Sequence, residues 1–146
     1  MKLYTIGFTR KSAERFFGLL SENGVERVID IRLKPGGQLS GFAKQQDLAW
    51  FLDRLVGANY VHMPILAPSE QIRDDYRKDR DWDRYVPRFE ALMDDRGIPA
   101  ALDRAVFDER VSCLLCSEPG PERCHRRLVA ERLAREWRGA DVIHLT

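Results

Sequence analysis

"RVSCLLCSEPGPERCHRRLVAERL" spans residues 110–133, and the change of pattern inside it decides the fold. Residues 110–117 form an apolar run that is typical of a buried strand. A loop rich in proline and glycine follows, and Pro121 stands where the first turn of a helix tolerates proline. We predict that the last helix runs over residues 121–139, with a buried stripe of Leu128, Val129, Leu133 and Trp137.

The same alternation of strand and helix patterns extends along the whole chain. Short apolar runs predict strands over residues 2–8, 25–32, 59–66, 110–117 and 140–146. Helical spacing predicts further helices over residues 11–24, 44–57, 69–80, 81–97 and 99–107, and residues 33–41 read as a loop. Because parallel strands need helical crossovers, we predict an α/β fold. It is a single three-layer, Rossmann-like domain over residues 1–146, with helices on both faces of a mostly parallel sheet of about five strands.

Composition indicates an ordinary globular chain. Its 146 residues are 44% apolar and 32% charged, and 24 Lys plus Arg against 23 Asp plus Glu leave a net charge of +1. This charge does not demand a nucleic-acid partner. The chain has neither an apolar run of membrane-spanning length nor a signal sequence, so we expect a cytoplasmic protein without a membrane partner. The odd number of cysteines, Cys113, Cys116 and Cys124, argues against a secreted disulfide framework.

The predicted topology brings polar residues from distant segments to one edge of the sheet. Ligands of open parallel sheets bind beyond the carboxyl ends of the strands. The residues expected there are Gly7 and Thr9 after the first strand, Asp30 and Arg32 after the second, His62 in the third, and Cys116, Glu118, Cys124, His125 and Arg126 around the last. We predict that the ligand is bound by Gly7, Thr9, Arg32, Cys124, His125 and Arg126.

The start of the last helix is typical of an anion site. Exposed N–H groups and a partial positive charge favour anions there and lower the pKa of a thiol. Arg126 and Arg127 add guanidinium groups that suit phosphate or carboxylate. A phosphate-bearing small molecule such as a nucleotide fits this pattern. The alternative, solvated arginines beside a cysteine that only fills space, stays open.

Glu118, Asp30 and Cys116 are the candidate catalytic residues. A carboxylate beside arginines at a partly dry edge can act as a general acid or base. Asp30 with Arg32 fits equally well an ion pair that braces a loop. Cys116, at a strand end before a loop and a helix, is placed like a nucleophile. The cysteine-phosphatase pattern is disfavoured, because six residues separate Cys116 from Arg123 and two prolines remove amide donors from the loop.

Metal and redox chemistry are alternatives for the same segment. Cys113, Cys116, Cys124 and His125 could ligate zinc. However, Cys113 and Cys116 should point to opposite faces of a strand, and the adjacent Cys124 and His125 should diverge on a helix. Zinc held by Cys116, Cys124 and an outside ligand such as His62 stays open as an alternative. On the geometric objection we assign no metal ligand, and the sequence identifies no cofactor. A reversible disulfide between Cys116 and Cys124 needs their Cα atoms within about 7 Å.

Five motifs occur in an order that resembles a known family. They are "TIGF" at 5–8, "DIR" at 30–32, "GFAK" at 41–44, "YVHMP" at 60–64 and "LLCSEPGPERCHRRLVAE" at 114–131. The chain resembles, over essentially its whole length, the bacterial and archaeal family catalogued as domain of unknown function 488. Many members of that family carry histidine where this chain has Phe8, so no role of that imidazole transfers here. The resemblance implies a fold and a site more than a reaction.

Two functions of different classes remain open. The first is an enzyme, a hydrolase or transferase, acting on a phosphorylated small molecule at the sheet edge. The second is a module that binds nucleic acid or a protein through a basic patch of Arg10, Lys11, Arg32, Lys34, Lys44, Arg126 and Arg127, with Trp50, Tyr76, Trp82 or Tyr85 for stacking. An enclosed cavity favours the enzyme, whereas a flat cationic face favours the binding module.

Overall fold

The computed structural model describes the backbone of residues 1–146 and the side chains of residues 1–37 and 41–146. The strands are β1 Lys2–Gly7, β2 Arg27–Asp30, β3 Asn59–His62, β4 Ser112–Cys116 and β5 Asp141–Leu145. The helices are α1 Ala13–Glu22, α2 Gln45–Phe51, α3 Glu70–Asp79, α4 Trp82–Asp95, α5 Ala105–Asp108 and α6 His125–Glu136. Two 3₁₀ segments, Gln38–Ala43 and Pro64–Leu66, and a π-helical turn, Leu52–Val56, complete the regular structure. In the part of the chain described, no helix has the length and apolarity needed to cross a bilayer.

The five strands form one sheet in the order β3-β2-β4-β1-β5, and all neighbours are parallel. β4 lies at the centre, between the two strands that begin the chain. Its register places Cys116 opposite Gly7 of β1 and Leu115 opposite Asp30 of β2. The carboxyl ends of β1, β2 and β4 therefore meet at one edge, although more than 80 residues of sequence separate β2 from β4.

Two apolar layers enclose the sheet, because successive side chains of a strand point to opposite faces. Leu114 packs on one face in a core with Phe89 of α4 and Leu133 of α6. Cys113 packs on the other face, in a core with Phe16 of α1. All five residues are fully buried, and a large apolar side chain of this kind contributes about 1.5–3 kcal/mol through burial. The predicted three-layer α/β architecture is confirmed.

α3 begins where the sequence predicts a helix over residues 69–80, whereas two other predicted helix boundaries are wrong. Ser69 caps α3, since its hydroxyl oxygen accepts a hydrogen bond of 3.2 Å from the Ile72 N–H. The helix predicted over residues 99–107 is only Ala105–Asp108. The residues before it form turns instead, in which the Ala101 N–H donates to the Gly97 carbonyl at 2.8 Å and the Leu102 N–H donates to the Pro99 carbonyl at 2.9 Å.

The predicted start of the last helix at Pro121 is also wrong. α6 begins at His125, and Cys124 precedes it in an extended conformation with φ −137° and ψ 137°. The loop before it uses its carbonyl groups in tertiary hydrogen bonds rather than helical ones. The Ser117 carbonyl accepts from the Thr9 N–H at 3.0 Å, and the Glu118 carbonyl accepts from the Arg126 guanidinium at 2.7 Å.

Candidate functional site

A cavity of about 600 Å³ opens at the carboxyl edge of the sheet. Phe8 reaches it from the end of β1, Arg32 from the end of β2, and Cys116 is the last residue of β4. Side chains of α3 and α4 also line it. Five residues predicted from the sequence to form the site line this cavity, namely Arg32, Cys116, Glu118, Cys124 and His125.

Cys116, Cys124 and His125 form the floor cluster, a group of three buried side chains at the base of the cavity. Their sulfur and nitrogen atoms all lie within 4.8 Å of one another. The expectation that Cys124 and His125 diverge is wrong, because Cys124 stands before α6 with an extended backbone. His125 Nε2 is 2.8 Å from the Ile31 carbonyl oxygen. Since a carbonyl only accepts, Nε2 carries the proton and donates it.

The direction of its pKa shift distinguishes Cys116 from the other two cysteines. A hydrogen bond from the Cys124 thiol lowers the pKa of Cys116, outweighing its burial, and the Ser117 N–H and the charge of Arg126 lower it further. Burial is the main cause that raises the pKa of Cys124, and the neighbouring Cys116 raises this pKa further. Burial also raises the pKa of Cys113. Cys116 is therefore the sulfur that becomes a nucleophile most readily.

The floor cluster contains three atoms that ligate soft metals, and two cysteines with one histidine are known as a zinc ligand set. Its geometry does not favour a metal. Cys116 Sγ is 3.4 Å from His125 Nδ1 and 3.9 Å from Nε2, so the sulfur lies against the ring rather than along the Nδ1 lone pair. The Ile31 carbonyl holds the ring in this orientation. The outside ligand considered from the sequence, His62, instead lies 2.8 Å from the Arg32 carbonyl oxygen.

Asp30 lies beside the cavity and is saturated with hydrogen bonds. Its Oδ1 accepts from Arg32 Nε at 2.8 Å and from the Arg32 backbone N–H at 3.1 Å. Its Oδ2 accepts from Arg32 Nη2 at 2.7 Å and from the Tyr60 hydroxyl at 2.5 Å. Burial lowers the pKa of Arg32, but the hydrogen bond and charge of Asp30 outweigh it and raise that pKa overall. Burial and Asp30 together raise the pKa of Tyr60, which stays a neutral donor.

Arg126 is fully buried behind the floor cluster. Nη1 donates to the Glu118 carbonyl at 2.7 Å, and Nε donates to the Thr5 hydroxyl at 3.2 Å. Nη2 has no hydrogen-bond partner among the described residues. A buried guanidinium without a carboxylate partner stabilises negative charge nearby. At the cavity, the charge of Arg126 contributes to the lowered pKa of Cys116.

Gly7 and Thr9 contact the loop before α6 rather than line the cavity. A Cβ atom on Gly7 would lie 1.6 Å from the Glu118 carbonyl oxygen and 2.9 Å from Arg126 Nη1. Only glycine therefore permits the loop to approach β1 this closely. The Thr9 N–H donates to the Ser117 carbonyl, which holds the start of the same loop.

The cationic wall of the cavity comes mainly from α3 and its C-cap, whose arginines are not among the site residues predicted from the sequence. Arg73 and Arg77 of α3, Arg80 at its C-cap and Arg123 of the loop before α6 all line the cavity. Arg73, Arg77 and Arg80 are spaced four and three residues apart, which places them on one helix face. That spacing is the signal that could have revealed them.

Two acidic residues of α3, Asp75 and Asp79, pair with arginines of α4 outside the cavity. Asp79 is 2.8 Å from Arg84, and Asp75 is 2.7 Å from Arg88. Both acids line a separate small depression with those two arginines. Among the described residues that line the main cavity, Glu118 is the sole carboxylate. The near-zero net charge of the chain thus hides a strongly cationic cavity.

The fold and this site define a three-layer α/β protein with a cationic cavity at the carboxyl edge of its parallel sheet. The family model described as Domain of unknown function DUF488 matches residues 12–133, and the chain belongs to this family. The resemblance seen in the sequence motifs is confirmed. No curated protein and no solved structure matches the chain.

Proposed function

We propose that the chain is an enzyme, a hydrolase or transferase, that acts on a phosphate-bearing ligand with an aromatic ring, of the nucleotide class. One observation carries this proposal. Arginines without an ion pair among the described side chains, a cluster of aromatic side chains and the sulfur of Cys116 meet in a single cavity of about 600 Å³, a volume suited to a small molecule.

The charge of the cavity supports a phosphate. Arg32, Lys34 and Arg73 have acidic partners, since Arg32 pairs with Asp30, Lys34 with Glu70 and Arg73 with Asp74. Arg77, Arg80 and Arg123 have no ion pair with a described side chain, and so they keep their donors for an anion. Guanidinium groups bind phosphate oxygens through paired, charge-assisted hydrogen bonds.

The aromatic residues of the cavity support a planar ring on the same ligand. Trp82 stacks on Tyr85 with ring centroids 5.0 Å apart and planes 13° from parallel. Tyr76 packs against both at 5.8 Å and 5.1 Å, and all three line the cavity with Phe8. Stacking of a base on such a surface contributes about 1–3 kcal/mol.

Cys116 is the proposed nucleophile. Its thiolate attacks the electrophilic atom, the transferred group becomes bound to sulfur, and the leaving group takes its proton from the Glu118 carboxylic acid. Water, or a second acceptor, then displaces the sulfur and gives its proton to the Glu118 carboxylate. Asp30, whose oxygens are all used, serves this site by holding Arg32 in place.

The test of binding is calorimetric titration with ribonucleoside 5′-monophosphates and 5′-diphosphates, free nucleosides and inorganic pyrophosphate. We expect the nucleotides to bind more tightly than either fragment. Arg77→Ala or Arg80→Ala should weaken nucleotide binding about 10- to 100-fold, because each removes a hydrogen bond between charged groups worth about 1.5–3 kcal/mol. Arg84→Ala is the matched control, since Arg84 pairs with Asp79 outside the cavity. Equal affinity of all three variants would reject the proposed ligand position.

The test of chemistry is turnover of the nucleotides that bind. Cys116→Ser should abolish turnover and leave binding intact, and Glu118→Gln should slow turnover without unfolding the protein. Turnover that survives in both variants would remove these residues from the reaction. The binding-module alternative predicts instead that a single-stranded oligonucleotide is retained at low salt and released steeply as salt rises. Such retention without nucleotide turnover would favour that alternative.

A further inference from the structure

The two ends of the loop over residues 117–123 bring two sulfur atoms together at the base of the cavity. Cys116 ends β4 and Cys124 precedes α6, and both sulfurs belong to the floor cluster with its 4.8 Å spread. We propose that Cys116 and Cys124 are a site of oxidative modification, at which a hydroperoxide oxidises Cys116 and Cys124 then closes a disulfide with it.

The geometry gives the two cysteines different parts in this reaction. Cys116 faces the cavity at the end of a strand, where a small peroxide reaches it from solvent. The Ser117 N–H and the buried Arg126 stabilise its thiolate. Cys124 lies next to it as a protonated thiol, buried and hydrogen-bonded to the Cys116 sulfur. The Cys124 sulfur is therefore already directed at the atom that it would attack.

The third cysteine provides a built-in contrast. Cys113 belongs to the same strand as Cys116, three residues earlier, but its side chain is fully buried in the core beneath α1. It does not line the cavity, and burial keeps it as a thiol. If any cysteine of the chain could react, Cys113 would be oxidised as readily as Cys116. The proposed site instead predicts that Cys116 reacts and Cys113 does not.

The chemistry balances in two steps. The Cys116 thiolate attacks one oxygen of the hydroperoxide, the O–O bond breaks, and the alkoxide or hydroxide that leaves takes up a proton. Cys116 sulfur, now a sulfenic acid, has been oxidised by two electrons, and the peroxide has been reduced. The Cys124 sulfur then attacks the Cys116 sulfur, the S–O bond breaks, and the hydroxyl leaves as water with the Cys124 proton. A dithiol restores both thiols by exchange.

The disulfide would block the sulfur on which the proposed reaction depends. That consequence rests on the proposed function, whereas formation of the disulfide does not. The two proposals therefore fail separately. If no disulfide forms, nucleotide binding and turnover are still tested by titration and activity. If no nucleotide is turned over, formation of the disulfide is still tested by mass.

The experiment treats the folded, reduced protein with hydrogen peroxide and follows intact mass, with dimedone present to trap sulfenic acid. We expect the wild-type protein to lose the mass of two hydrogen atoms and to gain little dimedone. Cys124→Ser should instead accumulate dimedone on Cys116, because nothing resolves its sulfenic acid. Cys113→Ser should behave as wild type, and peptide mapping should find the bond between residues 116 and 124.

Three results would overturn the proposal. One is a wild-type protein that collects as much dimedone on Cys116 as Cys124→Ser does. Another is a disulfide that includes Cys113. The last is a folded protein whose Cys116 resists peroxide while its thiols react after denaturation, since this would show that the cavity does not admit the oxidant.

Discussion

Replacement of Asp30 by asparagine tests the electrostatic arrangement on which the cavity is built. Asp30 has no exposed surface, and its partner Arg32 exposes only 6% of its side chain. The substituted amide would keep the shape of the side chain but would lose its charge. It would also turn one acceptor atom into a donor that faces the Arg32 guanidinium, since both oxygens of Asp30 accept from it. The Arg32 charge would then be buried without its counter-ion.

The expected cost follows from that burial. Removing one partner of a buried ion pair costs about 3–5 kcal/mol, because an uncompensated charge remains away from water. Exposed pairs contribute only about 0–1 kcal/mol. The Asp30–Arg32 pair belongs to the first kind. Against a typical unfolding free energy of about 5–15 kcal/mol, Asp30→Asn should leave a folded protein with a much lower denaturation midpoint.

The assay is urea unfolding followed by tryptophan fluorescence, with the slope of the transition compared between variants. Glu131→Gln is the matched control, since Glu131 forms an exposed pair of 3.4 Å with Arg127 on α6. It should change the unfolding free energy by less than about 1 kcal/mol. If Asp30→Asn lowers the unfolding free energy by no more than Glu131→Gln does, at an unchanged slope, the view that Asp30 compensates a buried charge is refuted.

Three further perturbations test neighbouring parts of the site. Gly7→Ala should lower the free energy of unfolding by at least about 1–3 kcal/mol, because the new Cβ would lie 1.6 Å from a loop carbonyl oxygen. Gly36→Ala is the control, since a Cβ there meets open space, and equal losses of the two variants in urea unfolding would contradict the close approach at Gly7. Tyr60→Phe should lower the free energy of unfolding by about 1.5–3 kcal/mol in the wild-type background and by little when Asp30→Asn is already present, because the hydrogen bond between the two residues is then lost already. A double-mutant cycle measures this coupling, and purely additive losses would show that it is absent. Iodoacetamide reacts with the thiolate, so the rate of Cys116 alkylation should stay high down to pH values at which an ordinary thiol is protonated. A pH–rate profile whose midpoint lies at or above the ordinary thiol pKa of 9.0 would contradict the lowered pKa of Cys116.

Much of the fold follows from local patterns in the sequence. Apolar runs and helical spacing locate all five strands and most helices, because the period of burial distinguishes a strand from a helix before any tertiary contact is known. Helix boundaries are less certain where a tertiary contact competes with a local preference. Pro121 suits a first helical turn, yet α6 starts at His125, since carbonyl groups of the loop bind Thr9 and Arg126 instead.

The candidate site is only partly visible in the sequence. The rule that parallel sheets bind ligands at their carboxyl edge brought Arg32, Cys116 and Glu118 together, and all three line the cavity. The arginines of α3 were not expected there, because no local pattern specifies which neighbour a polar helix faces. Asp75 and Asp79 of the same helix pair with Arg88 and Arg84 of α4, and these pairs lie outside the cavity.

By itself, the sequence determined the succession of strands and helices, the parallel topology and the edge at which reactive residues collect, because periodicity and chain connectivity constrain these strongly. Only the tertiary structure decided the order β3-β2-β4-β1-β5, which sets Cys116 between the ends of β1 and β2. It alone also decided that Cys124 meets Cys116 and that Arg126 is buried behind them. Such placements depend on how whole elements pack, and packing is a property of contacts between residues far apart in the chain.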